Sequence, residues 1–227
     1  MGLVQPPSAA QVDAFWRLSV WLLDWNQRMN LTAVREPRDI AVKHILDSMT
    51  CLQAYAIPHG GRVLDIGTGA GFPGLVLKVM RPDLRLVLMD STQKKLAFVD
   101  YVVREMGWTD VEVVSGRAEH LAHDSAYREA FDVVVARAVA AMRILAEFCL
   151  PYAAVGGAVL AMKGPQLTDE LRLADGAISK LGGHVVQTTP FRLPFDGGDR
   201  AIAVITKERP TPAAYPRIYR DIKRSPL

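Results

Sequence analysis

The chain has 227 residues, half of them hydrophobic and 22% charged, values that exclude wholesale disorder. No apolar run reaches the ~18 residues that a membrane span needs, and two cysteines, Cys51 and Cys149, exclude a disulfide framework and a cysteine-built zinc cage. The net charge of +3 is uneven, because residues 206–227 hold Lys207, Arg209, Arg217, Arg220, Lys223 and Arg224 against only Glu208 and Asp221.

In chain order, Ser8 is a plausible N-cap for a helix running to Met29. Val12, Phe15, Trp16, Val20, Leu22, Leu23 and Trp25 give that helix a broad apolar face. A second helix is expected from Pro37 to about Tyr55, with Ile40, His44, Ile45 and Met49 on one face. No strand signal precedes Gly60, so residues 1–59 read as a helical extension. Strands and helices then alternate: strand Arg62–Ile66, helix Pro73–Met80, strand Arg85–Met89, helix Thr92–Met106, strand Val111–Val114, strand Phe131–Ala136 and helix Ala141–Ala153. Strand Ala158–Met162, helix Thr168–Leu181 and a hairpin of His184–Leu193 with Arg200–Thr206, turning at Asp196-Gly197-Gly198-Asp199, complete the body. The fold class is therefore α/β: a doubly wound, mostly parallel sheet with a C-terminal antiparallel hairpin. Residues 60–206 form its domain, and 207–227 a basic tail. Such a tail either meets an anionic partner or is a solvated end. The N-terminus lacks a basic start followed by an apolar core, so a cytoplasmic, reducing setting is expected.

The strongest local signal is Asp65-Ile66-Gly67-Thr68-Gly69-Ala70-Gly71-Phe72-Pro73-Gly74, between the first strand and a helix. This is where a doubly wound sheet binds its ligand. Glycines let backbone approach a ligand without a Cβ clash. The spacing is not the dinucleotide G-x-G-x-x-G, and Asp65 suits an ammonium group. The pattern Asp65, Gly67, Gly69, Gly71 thus favours S-adenosylmethionine over NAD, FAD or a structural turn. Asp90 closes the second strand and suits ribose hydroxyls, or is simply an acid at a helix N-terminus.

The nucleophile is constrained by what is missing. The chain has no [Asn/Asp]-Pro-Pro-[Tyr/Phe] for an exocyclic amine, and both cysteines read as buried apolar residues. What remains is a substrate that is already nucleophilic, such as guanine N7, which has a lone pair and no proton to remove. Catalysis then means in-line positioning. Other classes stay open: a small-molecule or protein methyltransferase, a nucleotide-linked oxidoreductase, or a non-catalytic RNA-binding protein.

Several motifs run in order: Trp25-Asn26-x-x-x-Asn30-Leu31-Thr32, His44-x-x-Asp47-Ser48, the glycine loop with Gly71-Phe72-Pro73-Gly74, and Asp90-Ser91-x-x-Lys94-Lys95. Arg117-Ala118-Glu119, Arg137-Ala138, Lys163-Gly164, Arg200 and Tyr215-Pro216-Arg217 follow. On these motifs the chain resembles the bacterial 16S ribosomal RNA guanine-N7 methyltransferases, the glucose-inhibited division protein B family. The resemblance implies a Rossmann-like class I methyltransferase fold and S-adenosyl-L-methionine as cofactor. It implies 16S rRNA, within the small ribosomal subunit or its precursor, as the partner of a monomer, with neither metal nor membrane. Cofactor contacts fall on Gly67, Phe72, Asp90, Ser91, Thr92, Ala118, Glu119 and Arg137. Arg137, Lys163 and His44 are the expected positioning residues, although His44 also reads as a satisfied core histidine. RNA contacts are expected at Arg117, Lys94, Lys95, Arg200 and Arg217. One departure is plain: where family tails read Tyr-Pro-Arg-x-x-Gly-x-Pro, this chain has Arg220 and Ile222. The tail is expected to touch RNA and to leave cofactor affinity unaffected.

Overall fold

The computed structural model describes residues 6–137 and 139–227; Ala138 of the Arg137-Ala138 motif lies outside them. Helix α1 (Ala9–Met29) starts on a capping box, in which the Ser8 hydroxyl accepts from the Gln11 N–H and the Gln11 side chain accepts from the Ser8 N–H. It ends at Asn30 in the left-handed conformation. The expected second helix carries a π-helical insert. It consists of α2 (Pro37–Ile40), a π-helical stretch (Ala41–Leu46), α3 (Asp47–Met49) and α4 (Cys51–Ala54). Wider π turns are rare and concentrate at functional sites; here the stretch carries His44.

The sheet is built from β1 (Arg62–Ile66), β2 (Arg85–Asp90), β3 (Val111–Ser115), β4 (Phe131–Arg137), β5 (Ala153–Lys163), β6 (Gly183–Leu193) and β7 (Gly198–Lys207). Their spatial order is 3-2-1-4-5-7-6. β1 to β5 pair in parallel and β7 pairs antiparallel with both β5 and β6. Between the strands run α5 (Gly74–Met80), α6 (Gln93–Glu105), α7 (Ala118–Leu121), α8 (Met142–Cys149) and α9 (Leu167–Lys180), with α10 (Tyr219–Arg224) near the end.

Alternate strand residues face opposite sides, and both sides are covered. Val63, Leu86, Leu88, Val133, Val135 and Leu160 pack with Phe15, Leu18, Leu22 and Ile40 of the N-terminal helices and with α5 and α6. Leu64, Val87, Val134 and Ala136 pack with α8, α9 and Ile222. The extension is therefore part of one core. Trp25 packs on Phe98 and Tyr101 of α6, and the Gln11 amide donates to the Val79 and Met80 carbonyls at the end of α5. The apolar face of α1 is narrower than its sequence suggests, because Val12, Trp16 and Val20 point to solvent.

Other boundaries differ for local reasons. Helix α8 stops at Cys149 rather than Ala153, because Pro151 cannot donate the next helical bond. Strand β5 starts at Ala153 rather than Ala158, and its register against β4 shifts between Phe131 and Val133. At the hairpin tip the positive φ values fall on Phe195, Asp196 and Gly198, of which Gly198 already belongs to β7.

The tail is not a free end. The fully buried Lys207 ammonium donates to the Leu150 carbonyl and the Thr211 hydroxyl and pairs with Glu129. Arg217, expected on RNA, is turned inward. Its backbone N–H, Nε and Nη2 all donate to Glu147, which is completely buried, and its Nη1 donates to the Ser225 carbonyl. Ile222 is fully buried. Removing one side of a buried ion pair typically costs several kcal/mol. Glu147→Ala should therefore lower the unfolding free energy by about 3 kcal/mol in urea titrations, whereas Arg220→Ala, whose side chain is 79% exposed, should change it by less than about 0.5 kcal/mol.

Candidate active site

Two cavities open at the C-terminal ends of the parallel strands. The first, of about 600 Å³, lies over the glycine loop. The Gly67 and Thr68 amides bond the Met89 carbonyl, which stitches the loop to the end of β2. Gly69 has φ +60° with nothing but the Gly67 carbonyl within 4 Å of where a Cβ would lie. A side chain there is opposed by backbone strain rather than by a clash. At Gly71 a Cβ would meet Leu75 at 2.1 Å, so that glycine serves packing.

Of the residues expected around the cofactor, Gly67, Asp90, Ser91, Thr92, Ala118, Glu119 and Arg137 line this cleft. Asp90 accepts the Gly69 amide at 3.0 Å and the Thr92 amide at 2.8 Å, which fixes its carboxylate at the floor. Glu119 is buried, and its Oε1 has no hydrogen-bond partner among the described residues. The nearest cation, Arg117, stands 3.7 Å away. A buried acceptor left unmet is costly, so this oxygen suits a donor from a ligand. Asp65 does not reach the cleft. Its Oδ2 accepts from the Thr68 hydroxyl (2.7 Å) and the Gly74 amide (2.8 Å), bracing the loop against α5. Burial raises its carboxyl to about 6. Gly69, Gly71 and Phe72 are likewise absent from the cleft wall.

The second cavity, of about 460 Å³, is lined by His44, Asp47, Arg137, Lys163, Phe191 and Arg200 among others. Arg137 alone of the described residues borders both cavities. Its Nη1 donates to the Lys43 carbonyl (3.2 Å) and to Asp47 Oδ2 (3.3 Å), while its Nη2 faces His44 Nδ1 at 3.3 Å. The guanidinium also lies 5.5 Å from the Phe72 ring centre, and His44 stacks on the same ring at 4.7 Å. Phe72 thus backs two residues of the second cavity's wall.

A guanidinium can only donate. His44 Nδ1 therefore accepts, and Nε2 carries the hydrogen that it donates to Thr32 Oγ1 at 2.9 Å. Thr32 is held in turn by Asn26, whose amide bonds both the Thr32 N–H and its carbonyl at 2.9 Å. The chain Asn26–Thr32–His44–Arg137 explains the motif Trp25-Asn26…Thr32 and His44-x-x-Asp47, and it is the part that sequence reasoning missed. Asp47 received no role there; it is buried and also faces Arg200 at 3.8 Å. Burial raises its carboxyl above the ordinary value, while the Arg137 and Arg200 charges oppose the rise. Asn30 of the same motif caps the end of α1.

Lys163 supports the loop after β4. Its ammonium donates to the Ala140 carbonyl and to Glu170 Oε2 (2.6 Å), which also accepts the Met142 amide. The expected RNA residues divide among separate places. Arg117 and Lys95 line the first cavity, Arg200 the second, Lys94 is exposed on α6, and Arg217 is half-buried on Glu147. Cys51 and Cys149 are buried, and burial pushes both thiols far up; neither can supply a thiolate. No group of His, Cys, Asp and Glu among the described residues could hold a metal. No described helix is long and apolar enough to cross a membrane.

Comparison with known proteins agrees with this architecture. The profile of the family described as rRNA small subunit methyltransferase G matches residues 11–196. The ribosomal RNA small subunit methyltransferase G of Symbiobacterium thermophilum is 46% identical over 209 residues, covering 90% of this chain and 85% of the relative. That of Deinococcus radiodurans is 44% identical over 209 residues, covering 92% and 83%. Among solved structures, TrmN from Thermus thermophilus superposes with a TM-score of 0.58 at 19% identity, over 80% of this chain and 53% of that one. The precorrin-6y C5,15-methyltransferase of Geobacter metallireducens gives 0.53 at 14%, over 71% and 86%. These two show the fold alone.

Burial, then the Arg137 charge, lowers the His44 imidazole from 6.5 to about 4. Between those values the folded chain binds fewer protons at His44 than the unfolded chain. This contribution to stability is complete above pH 6.5 and is lost as pH falls towards 4. Nitrogen–proton NMR should show neutral, Nε2-protonated His44 at pH 6 with a midpoint near 4. A midpoint near 6.5 would contradict the buried network.

Proposed function

The chain belongs to the rRNA small subunit methyltransferase G family, and on that premise we propose that it methylates N7 of a guanine in 16S ribosomal RNA, using S-adenosyl-L-methionine. The observation that carries the reading is Arg137, shared by a ligand cleft over the glycine loop and a second cavity edged with cations. A transfer enzyme needs its donor and acceptor sites to meet at one point, and these two meet there.

The first cavity fits the cofactor. The unmet Glu119 Oε1 suits a donor on the nucleoside, Asp90 supplies a fixed carboxylate for ribose hydroxyls, and the glycine backbone admits close approach. S-adenosylmethionine supplies an electrophilic methyl group on a sulfonium. The chain's own residues then position and shield. Arg137 is held by three acceptors and keeps the junction between the cavities fixed. Lys163 and Glu170 hold the loop that walls the first cavity. Lys43, Lys163 and Arg200 give the second cavity the sign that attracts a phosphodiester chain.

N7 is favoured because its lone pair needs no base. Neither the thiols nor the imidazole of His44 is free to act as base or covalent nucleophile: both thiols are buried, and both His44 ring nitrogens face partners. The purine becomes cationic on methylation, and Asp47 places a carboxylate in the cavity wall. We read residues 1–59 as an extension that carries the substrate-side His44 and Asp47, residues 60–206 as the transfer domain and 207–227 as a tail bound to it. We place the protein in the cytoplasm as a monomer acting on the small subunit or its precursor.

Chemical cleavage at N7-methylguanine in 16S RNA tests the target atom. A deletion strain should lose one cleavage site, and the gene in trans should restore it. An unchanged cleavage pattern would exclude N7 as the product.

A further inference from the structure

The sequence suggests that the tail and the cofactor site are independent, but the fold puts them together. Tyr219 and Lys223 line the same cleft as Asp90 and Glu119. Tyr219 is stacked on Phe148, at 6.3 Å and 13° between the rings. The Arg117 guanidinium sits 5.1 Å from its centre and the Lys223 ammonium 5.5 Å. The ring is fixed from behind, because Arg217 is locked on Glu147, Ile222 is buried, and Arg143 donates to the Pro226 and Leu227 carbonyls.

The sheet order says which end of the cofactor this wall meets. The cleft runs from Arg137, at the end of β4, to Arg117–Glu119, just beyond β3, and the order 3-2-1-4 places those strands three apart. At about 4.8 Å per strand, that span is roughly 14 Å. Methyl transfer belongs at the Arg137 end, where the second cavity opens. The nucleoside end therefore lies under Arg117, beside the unmet Glu119 oxygen and the Tyr219 ring. An aromatic face beside a buried acceptor is what a nucleobase with an exocyclic amine requires.

We propose that Tyr219 is a cofactor-binding residue, and that the C-terminal segment is a wall of the adenosine site. The proposal rests on the methyltransferase reading and adds a residue that the Rossmann-like core does not supply. No hydrogen bond of the Tyr219 hydroxyl is needed, so the ring face is what matters.

S-adenosylhomocysteine binding, measured by calorimetry without RNA, tests the proposal. Tyr219→Ala should weaken binding about tenfold, in the range of base–aromatic stacking. Tyr219→Phe should stay within about twofold of the parent, as should Arg220→Ala on the exposed side of the same helix. Hydrogen exchange on the unaltered protein gives a second readout that no folding defect can confuse: saturating S-adenosylhomocysteine should slow exchange of the amides of residues 217–224 along with those of the glycine loop. The proposal is overturned if folded Tyr219→Ala binds like the parent, or if ligand protects the glycine loop and leaves 217–224 unchanged. A Tyr219→Ala defect confined to the KM for RNA overturns it too, and assigns the ring to RNA. Failure of the unaltered protein to bind S-adenosylhomocysteine would instead sink the methyltransferase reading itself.

Discussion

Everything at the functional edge of this molecule turns on how Arg137 is held. Its guanidinium leaves the end of β4, crosses to the π-helical stretch, and meets the Lys43 carbonyl, His44 Nδ1 and Asp47 Oδ2. Each acceptor alone is weak. Together they fix a planar fork in one orientation, which a lysine could not reproduce. The same contacts add to the apolar core in tying the N-terminal helices to the sheet, and the two cavities meet at this one side chain.

That hold depends on a buried polar relay. Asn26 fixes Thr32, Thr32 accepts from His44, and His44 must stay neutral to accept from Arg137. Burial that would penalise a charged imidazole therefore serves the site, because it keeps the ring an acceptor. Asp47 balances two arginines from the same cavity. Buried polar groups of this kind are retained only when partners are present. The surrounding apolar residues, from Leu18 and Leu22 to Val133 and Leu160, exclude water from behind the network.

Much of this was legible in the sequence because it obeys local rules. The Ser8 cap, the Pro37 start, the near-continuous apolar run at Phe131–Ala136 and the hairpin all appear where residue preference alone puts them. The glycine loop was readable as a strand-to-helix turn, and Gly67, Asp90 and Glu119 line one cleft beside it. What was not legible depends on contacts between distant segments. Nothing local says that Asp65 turns back to the Gly74 amide rather than outward, or that Arg217 ends on Glu147 seventy residues earlier. The π-helical stretch has no sequence period of its own, so it passed as ordinary helix. The closeness of Tyr219 to the cleft, in a tail whose Ile222 is buried against the sheet domain, likewise rests on contacts between distant segments.

The most direct test of the account is a double-mutant cycle on the relay, read as single-turnover methylation at saturating RNA and cofactor. Thr32→Val removes the partner of His44 and nearly preserves shape, and Arg137→Lys keeps the charge and loses the fork. The account predicts that each slows turnover by tens of fold, with S-adenosylhomocysteine affinity unchanged in Thr32→Val. The double variant should be no slower than Arg137→Lys alone, because both act through one guanidinium. Thr32→Val turning over like the parent, or the two defects multiplying, would contradict it.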